Sequence, residues 1–175
     1  MRVVSIFVIS LLARLARAAV LFNGSFAIFD DYSGSGFTIG TTGPLKGLVE
    51  VRPNTIDKWL IETIPGTVSD TTGTTAIIRH VESNLFIRFL EYTGGQTAIL
   101  SDDYPTIFNF DRYENLRFRI TLPLASRSDG PGRCVVEKYS TLDNRLVVRF
   151  RSSRAKPEGR SYFSVLGTPN ATLHE

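Results

Sequence analysis

Two short stretches set paired acidic groups beside an aromatic ring: DDYSGSG (residues 30–36) and SDDYP (residues 101–105). The first holds Asp30, Asp31 and Tyr32; the second holds Asp102, Asp103 and Tyr104, with Tyr92 in the segment ahead of it. A carboxylate accepts hydrogen bonds from neighbouring hydroxyls, and a ring packs on an apolar face. A sugar offers both features, so these residues are the candidate carbohydrate contacts. Asp, Ser and Gly also form turns by bonding their own backbone, which is the competing use of the same letters. Glycoside hydrolysis needs two carboxyl groups held apart across a bond, and adjacent residues on a loop do not fix such a separation.

Other reactive groups are scarce. The single cysteine, Cys134, opens the apolar alternation CVVEKY and reads as a small core residue. With one thiol there is no internal disulfide. The histidines are His80 and His174, too few to pair a thiol with a base or to build an imidazole metal site. The acidic loops lack the regular oxygen spacing of a calcium loop. The chain therefore reads as non-enzymatic, with no cofactor and no metal.

The first residues, MRVVSIFVISLLARLARAAV, read as a secretory leader. Arg2 supplies the positive end, Val3 to Leu12 is apolar apart from Ser5 and Ser10, and Ala16-Arg17-Ala18 fits a small-x-small cleavage site. The apolar run is about ten residues, against roughly 20 for a membrane-crossing helix, so no membrane span is expected. Residues 1–18 are assigned to the leader and 19–175 to one domain, secreted to the extracellular space. The whole chain carries 20 Lys+Arg against 17 Asp+Glu. Loss of Arg2, Arg14 and Arg17 makes the mature chain formally neutral, and no basic stripe with interleaved aromatics remains for nucleic acid. Asn23-Gly-Ser and Asn170-Ala-Thr are N-glycosylation motifs.

Strands must position the loops. Runs such as SFAIF (25–29), GFTIG (36–40), GLVEV (47–51), WLIETI (59–64), TAIIRHV (75–81) and LFIRFL (85–90) are short, rich in β-branched and aromatic residues, and cut by Gly, Pro, Asn, Asp and Ser. TAILS (97–101), FNFDRY (108–113), LRFRITL (116–122), CVVEKY (134–139), RLVVRF (145–150) and SYFSVL (161–166) continue the pattern. No sustained 3.6-residue apolar period follows residue 20. Large aromatics recur at Trp59, Phe110 and Phe163, about fifty residues apart. AIIRHVESNLFIRF (76–89) and CVVEKYSTLDNRLVVRF (134–150) share a strand-turn-strand plan ending in Arg-Phe. Three such units, about 22–66, 67–113 and 114–166, predict an all-β fold, a β-trefoil: a six-stranded barrel capped by three hairpins, with the repeated aromatic turned inward.

Over residues 22 to 166 the chain resembles the fungal ricin B-like β-trefoil lectins. That family marks the end of each repeat with Gln-x-Trp. The matching triplets here are Asp57-Lys58-Trp59, Phe108-Asn109-Phe110 and Ser161-Tyr162-Phe163, in which Trp survives once and Gln never. The resemblance implies glycan or glycoprotein partners. It also implies an acidic residue after each unit's first strand, an aromatic on the third strand and an Asn before the triplet. Asp30 or Asp31 fits the acidic place, but Val51 and Ile56 fall at the other two. The second unit offers Arg79-His80 and Ile107, and the third Glu137 and Lys138. The family's site is thus incomplete in each unit, and a displaced site at the Asp-Asp-Tyr loops is the expectation. β-Trefoils also include protease inhibitors, which gives the alternative partner. The loops PGTVSDTTGTT (65–75) and PLASRSDGPGR (123–133) are long enough to enter a cleft, and Arg127 and Arg133 suit a trypsin-like pocket.

Overall fold

The structure is a computed structural model that describes residues 21–41, 43–65, 74–91, 95–114, 117–122, 132–138, 145–152, 162–167 and 172–174. Residues 1–18, where a leader is expected, and Tyr92, Arg127 and Asn170 lie outside the described residues. Short runs of β-branched and aromatic residues, punctuated by turn formers, give strands and nothing longer. After β1 (Leu21–Asn23), the first unit contains β2 (Ser25–Asp30), β3 (Ser35–Ile39), β4 (Val49–Arg52) and β5 (Trp59–Thr63). The second contains β6 (Thr74–His80), β7 (Phe86–Arg88), β8 (Ile99–Ser101) and β9 (Phe108–Glu114). The third contains β10 (Arg117–Thr121), β11 (Gly132–Lys138), β12 (Leu146–Ser152) and β13 (Phe163–Gly167), and β14 (Thr172–His174) follows. Among the described residues no helix is long and apolar enough to cross a membrane.

The first and last strands of each unit build a closed barrel. β2 pairs with β5, β5 with β6, β6 with β9, β9 with β10, β10 with β13, and β13 returns to β2, all antiparallel. The middle strands form the hairpins β3–β4, β7–β8 and β11–β12. These hairpins hold one another through the bridges Leu48↔Ile99, Glu50↔Arg145 and Thr97↔Val147. Val49 N donates to Ala98 O at 2.9 Å, and Ala98 N donates to Leu146 O at 2.8 Å. This is a β-trefoil of three pseudo-repeats, each about fifty residues long. Closure leaves the barrel without an open sheet edge.

Register corrects one sequence expectation. Trp59 faces Phe26 on β2, and Phe163 faces Phe118 on β10. The residue facing the corresponding Ala76 on β6 is Phe108, not Phe110. Phe110 instead occupies the place of Ile61 and Val165, one inward position further along. Spacing alone does not separate Phe108 from Phe110, because they stand two apart on one face of β9, and both are buried. A second correction follows from connectivity. Residues 134–150 make the hairpin β11–β12, the unit's second and third strands, whereas 76–89 spans a first and a second strand. The two stretches look alike as letters but are not equivalent.

Trp59, Phe108 and Phe163 are fully buried and lie in one apolar cluster. Burial of each such side chain contributes roughly 1.5–3 kcal/mol. The strand β1 adds a further ring. Phe22 lies 5.6 Å from Phe26, 5.0 Å from Phe110 and 5.5 Å from Phe118, ring centre to ring centre. It thus touches one aromatic from each unit. β14 holds β1 in place through the register Leu21↔His174, Phe22↔Leu173 and Asn23↔Thr172.

Candidate binding loops

The first Asp-Asp-Tyr stretch forms the turn from β2 to β3. Asp30 is 1% exposed, and its Oδ2 accepts from Ser33 N at 3.0 Å and from Ser33 Oγ at 2.5 Å. Gly34, at φ +64°, then donates its N–H to Asp30 O at 2.8 Å. Asp30 is therefore a buried turn cap, and its carboxylate is withdrawn from any ligand at the surface. Asp31 faces the third unit. Its Oδ1 accepts from Ser164 Oγ at 3.0 Å, its Oδ2 pairs with Arg117 Nη2 at 2.5 Å, and its N–H donates to Tyr162 O at 3.0 Å. Arg117 and Arg119 both lie 5.4 Å from the Tyr162 ring. Asp31 thus fastens the first unit to the third. Tyr32, at the tip of the turn, is exposed.

The second stretch has a different character. It leaves β8 and runs to β9. Asp103 Oδ2 accepts from Arg88 Nη1 at 2.9 Å, and Asp103 N donates to Ser101 Oγ at 3.1 Å. Beyond the tip, Thr106 is buried; its Oγ1 accepts from Phe89 N at 2.8 Å, and its N–H donates to Ile87 O at 3.2 Å. The loop is anchored at both ends, yet Asp102, Asp103 and Tyr104 remain exposed, Tyr104 at 84%. Exposed Leu90 and Ile107 flank the Phe89–Thr106 anchor. A fixed carboxylate, a guanidinium and a projecting ring can together bind a polyhydroxylated surface. The two Asp-Asp-Tyr loops are not equivalent: one follows a first strand, the other a third. Asn23 and Arg133 fall in β1 and β11.

One cluster escaped the sequence reading. His80 Nδ1 lies 2.9 Å from Ser83 Oγ and accepts from Ser83 N at 3.1 Å. Those bonds assign the lone pair to Nδ1 and the proton to Nε2, which faces Asp57 Oδ2 at 3.7 Å. Thr38 Oγ1 donates to the same Asp57 oxygen at 2.7 Å, and the Trp59 ring lies 5.0 Å from the imidazole. Serine, histidine and aspartate in a row suggest a nucleophile. However, the backbone N–H of Ser83 already occupies the imidazole lone pair that would have to receive the hydroxyl proton. The barrel register also gives the cluster a simpler origin. His80 faces Trp59 as Asp30 faces Phe163. Asp30–Ser33 and His80–Ser83 are one capped turn built twice, with a carboxylate in one unit and an imidazole in the next. The shared three-residue spacing to a serine was the readable signal.

The corrected register also moves the second triplet to Thr106-Ile107-Phe108. The residue two before each inward aromatic then has one task in the first two units. Asp57 bonds Thr38 and Thr106 bonds Phe89, each joining its unit's last strand to the end of the second. Among the described residues no group of three or more His, Cys, Asp and Glu is placed to hold a metal ion.

No family model matches the chain, and no curated protein matches it. Solved structures do. The designed threefold-symmetric protein ThreeFoil aligns with TM-score 0.53 at 9% identity, over 83% of this chain and 100% of that one. The SDF2-like protein from Arabidopsis thaliana aligns with TM-score 0.50 at 13% identity, over 87% of this chain and 96% of that one. At such identities the likeness establishes the β-trefoil fold alone.

Proposed function

We propose that this β-trefoil is a secreted, non-catalytic carbohydrate-binding protein of the fungal ricin B-like kind, with its contact surface displaced to the Ser101–Pro105 loop. The supporting observation is Tyr104, which is 84% exposed beside a carboxylate already oriented by Arg88. An exposed ring on a loop anchored at both ends supplies the apolar face, and Asp102 and Asp103 supply hydroxyl acceptors. Little conformational entropy remains to be lost when such a loop binds. Asp30 and Asp31 leave the contact set because their carboxylates serve the fold.

A glycan array with the mature protein and the variants Tyr104→Ala and Asp103→Ala tests this. Loss of a ring contact worth about 1 kcal/mol weakens binding roughly fivefold, and both variants are expected to show at least that. Binding that persists unchanged in both variants moves the site away from this loop. No binding across a broad array removes the carbohydrate reading and brings forward trypsin-like proteases, with Arg127 as the residue to substitute, since Arg133 is paired within β11.

A further inference from the structure

The turn after the first strand of a unit is closed by different chemistry in the first and second units. In the first, Asp30 Oδ2 accepts from Ser33 N at 3.0 Å, and carboxylates remain acceptors at neutral and mildly acid pH. In the second, His80 Nδ1 accepts from Ser83 N at 3.1 Å. That bond uses the ring's lone pair, so it exists only while the imidazole is neutral. Imidazole is the side chain whose charge ordinarily changes between about pH 5 and about pH 8. The His80 side chain is 5% exposed, whereas Val81, Glu82, Ser83 and Asn84 of the turn are exposed. On the loop before β5, Asp57 faces His80 Nε2 at 3.7 Å. β3 and β5 bring Thr38 and Trp59 to this site, and neither carries a charge. On its own strand Arg79 is engaged by Glu62 and Asn84, and Glu82 and Lys58 are exposed.

We propose that His80 is an acid-operated latch on the turn between β6 and β7, in which proton uptake at Nδ1 exchanges the Ser83 backbone bond for an ion pair with Asp57. The proton comes from solvent and bonds to the Nδ1 lone pair; no covalent bond breaks. The new N–H then points at the Ser83 N–H, two donors face each other, and the tip of the turn has to move. Ser83 Oγ, 2.9 Å from the same nitrogen, can accept from the new N–H. The base of the turn holds, because His80 N donates to Leu85 O at 2.8 Å and Asn84 N donates to His80 O at 3.0 Å. On the other side of the ring, the Nε2–H keeps its direction and the added charge attracts the Asp57 carboxylate. Asp57 Oδ2 also accepts from Thr38 Oγ1 at 2.7 Å, and Val81 N donates to Lys58 O at 3.0 Å. The latch thus spans the seam between the first and second units. Acid strengthens the contact across the seam and frees the Ser83 tip, while the Asp30 turn does not respond.

Nitrogen NMR of the labelled protein, with amide exchange at Ser83 and Ser33, reads both turns in one sample. At about pH 8 the His80 ring is expected to carry its proton on Nε2. As the pH falls to about 5, both ring nitrogens become protonated. Protection at Ser83 relative to Ser33 then drops at least about fivefold, as for one lost hydrogen bond. Taking the ratio removes the ordinary pH dependence of exchange. Trp59 emission falls over the same range, since its ring lies 5.0 Å from the imidazole and a charged imidazole quenches indole. His80→Asn keeps a neutral acceptor in the place that Asp30 fills in the first unit, so its emission and its Ser83-to-Ser33 ratio should not change with pH. A proton on Nδ1 at about pH 8, or a ring that stays neutral down to about pH 5, overturns the proposal. So does a Ser83-to-Ser33 ratio that is unchanged while His80 titrates. These results are read on the unsubstituted protein and stand whether or not the variant folds. A folded His80→Asn protein whose ratio still drops in acid assigns the effect to another group and overturns the proposal as well.

Discussion

Asp30 and His80 occupy the same place in successive units, and each accepts from the backbone N–H of a serine three residues on, with that serine's hydroxyl within hydrogen-bond distance. Removing one such hydroxyl costs about 1 kcal/mol. Ser33→Ala and Ser83→Ala are both expected to lose that much in urea unfolding. Trp59, the only tryptophan, lies against His80 and separates the two: its emission shifts in the folded Ser83→Ala protein and not in Ser33→Ala. Asp31 and Tyr104 make a further contrast. Asp31 pairs with Arg117 across a unit boundary, so a double-mutant cycle between Asp31→Ala and Arg117→Ala should return a coupling of up to ~1 kcal/mol. Tyr104→Ala should leave stability within about 0.5 kcal/mol. A cycle with no coupling would remove Asp31 from the inter-unit contact.

In β9 the alternation places Phe108 and Phe110 on the inner face, and both rings are buried. Phe108→Ala and Phe110→Ala should each cost about 3–5 kcal/mol, read as a lower denaturation midpoint. A much smaller loss at Phe108 would argue against its equivalence to Trp59 and Phe163. On β3, Gly36 packs against the backbone carbonyl of Thr55, and a Cβ added there would overlap that oxygen. Thr55 Oγ1 also donates to Arg52 O at 2.7 Å and to Gly36 O at 3.2 Å. Backbone cannot yield as a side chain can, so Gly36→Ala should destabilise by about 1–3 kcal/mol, and hydrogen exchange should quicken first at the β3–β4 hairpin. The sequence showed all twelve trefoil strands because short β-branched and aromatic runs between turn formers have few other uses. It did not show which residues correspond between units, since two same-face phenylalanines satisfy the spacing equally well.

Across the whole molecule, the barrel is closed by pairing the first unit to the third through β2 and β13. Phe22 sits among Phe26, Phe110 and Phe118 at the contact of all three units. Phe22→Ala should therefore cost about 3–5 kcal/mol in one cooperative transition. An early, separate loss of the terminal ribbon alone would show that the ring is peripheral. The two Asp-Asp-Tyr loops show where letters reach their limit. In sequence they are nearly the same, yet one carboxylate pair is drawn into a turn cap and a unit junction, and the other stays at the surface beside an exposed ring. Composition, strand-length apolar runs and the fifty-residue recurrence determined the all-β class and the trefoil, because periodicity and turn chemistry are local properties of the chain. Only tertiary structure decided the equivalence of Trp59, Phe108 and Phe163, the pairing of Asn23 with Thr172, and the different fates of the acidic loops. Each of these depends on which distant strand supplies the neighbouring donors, and that is fixed by barrel closure rather than by any stretch of residues.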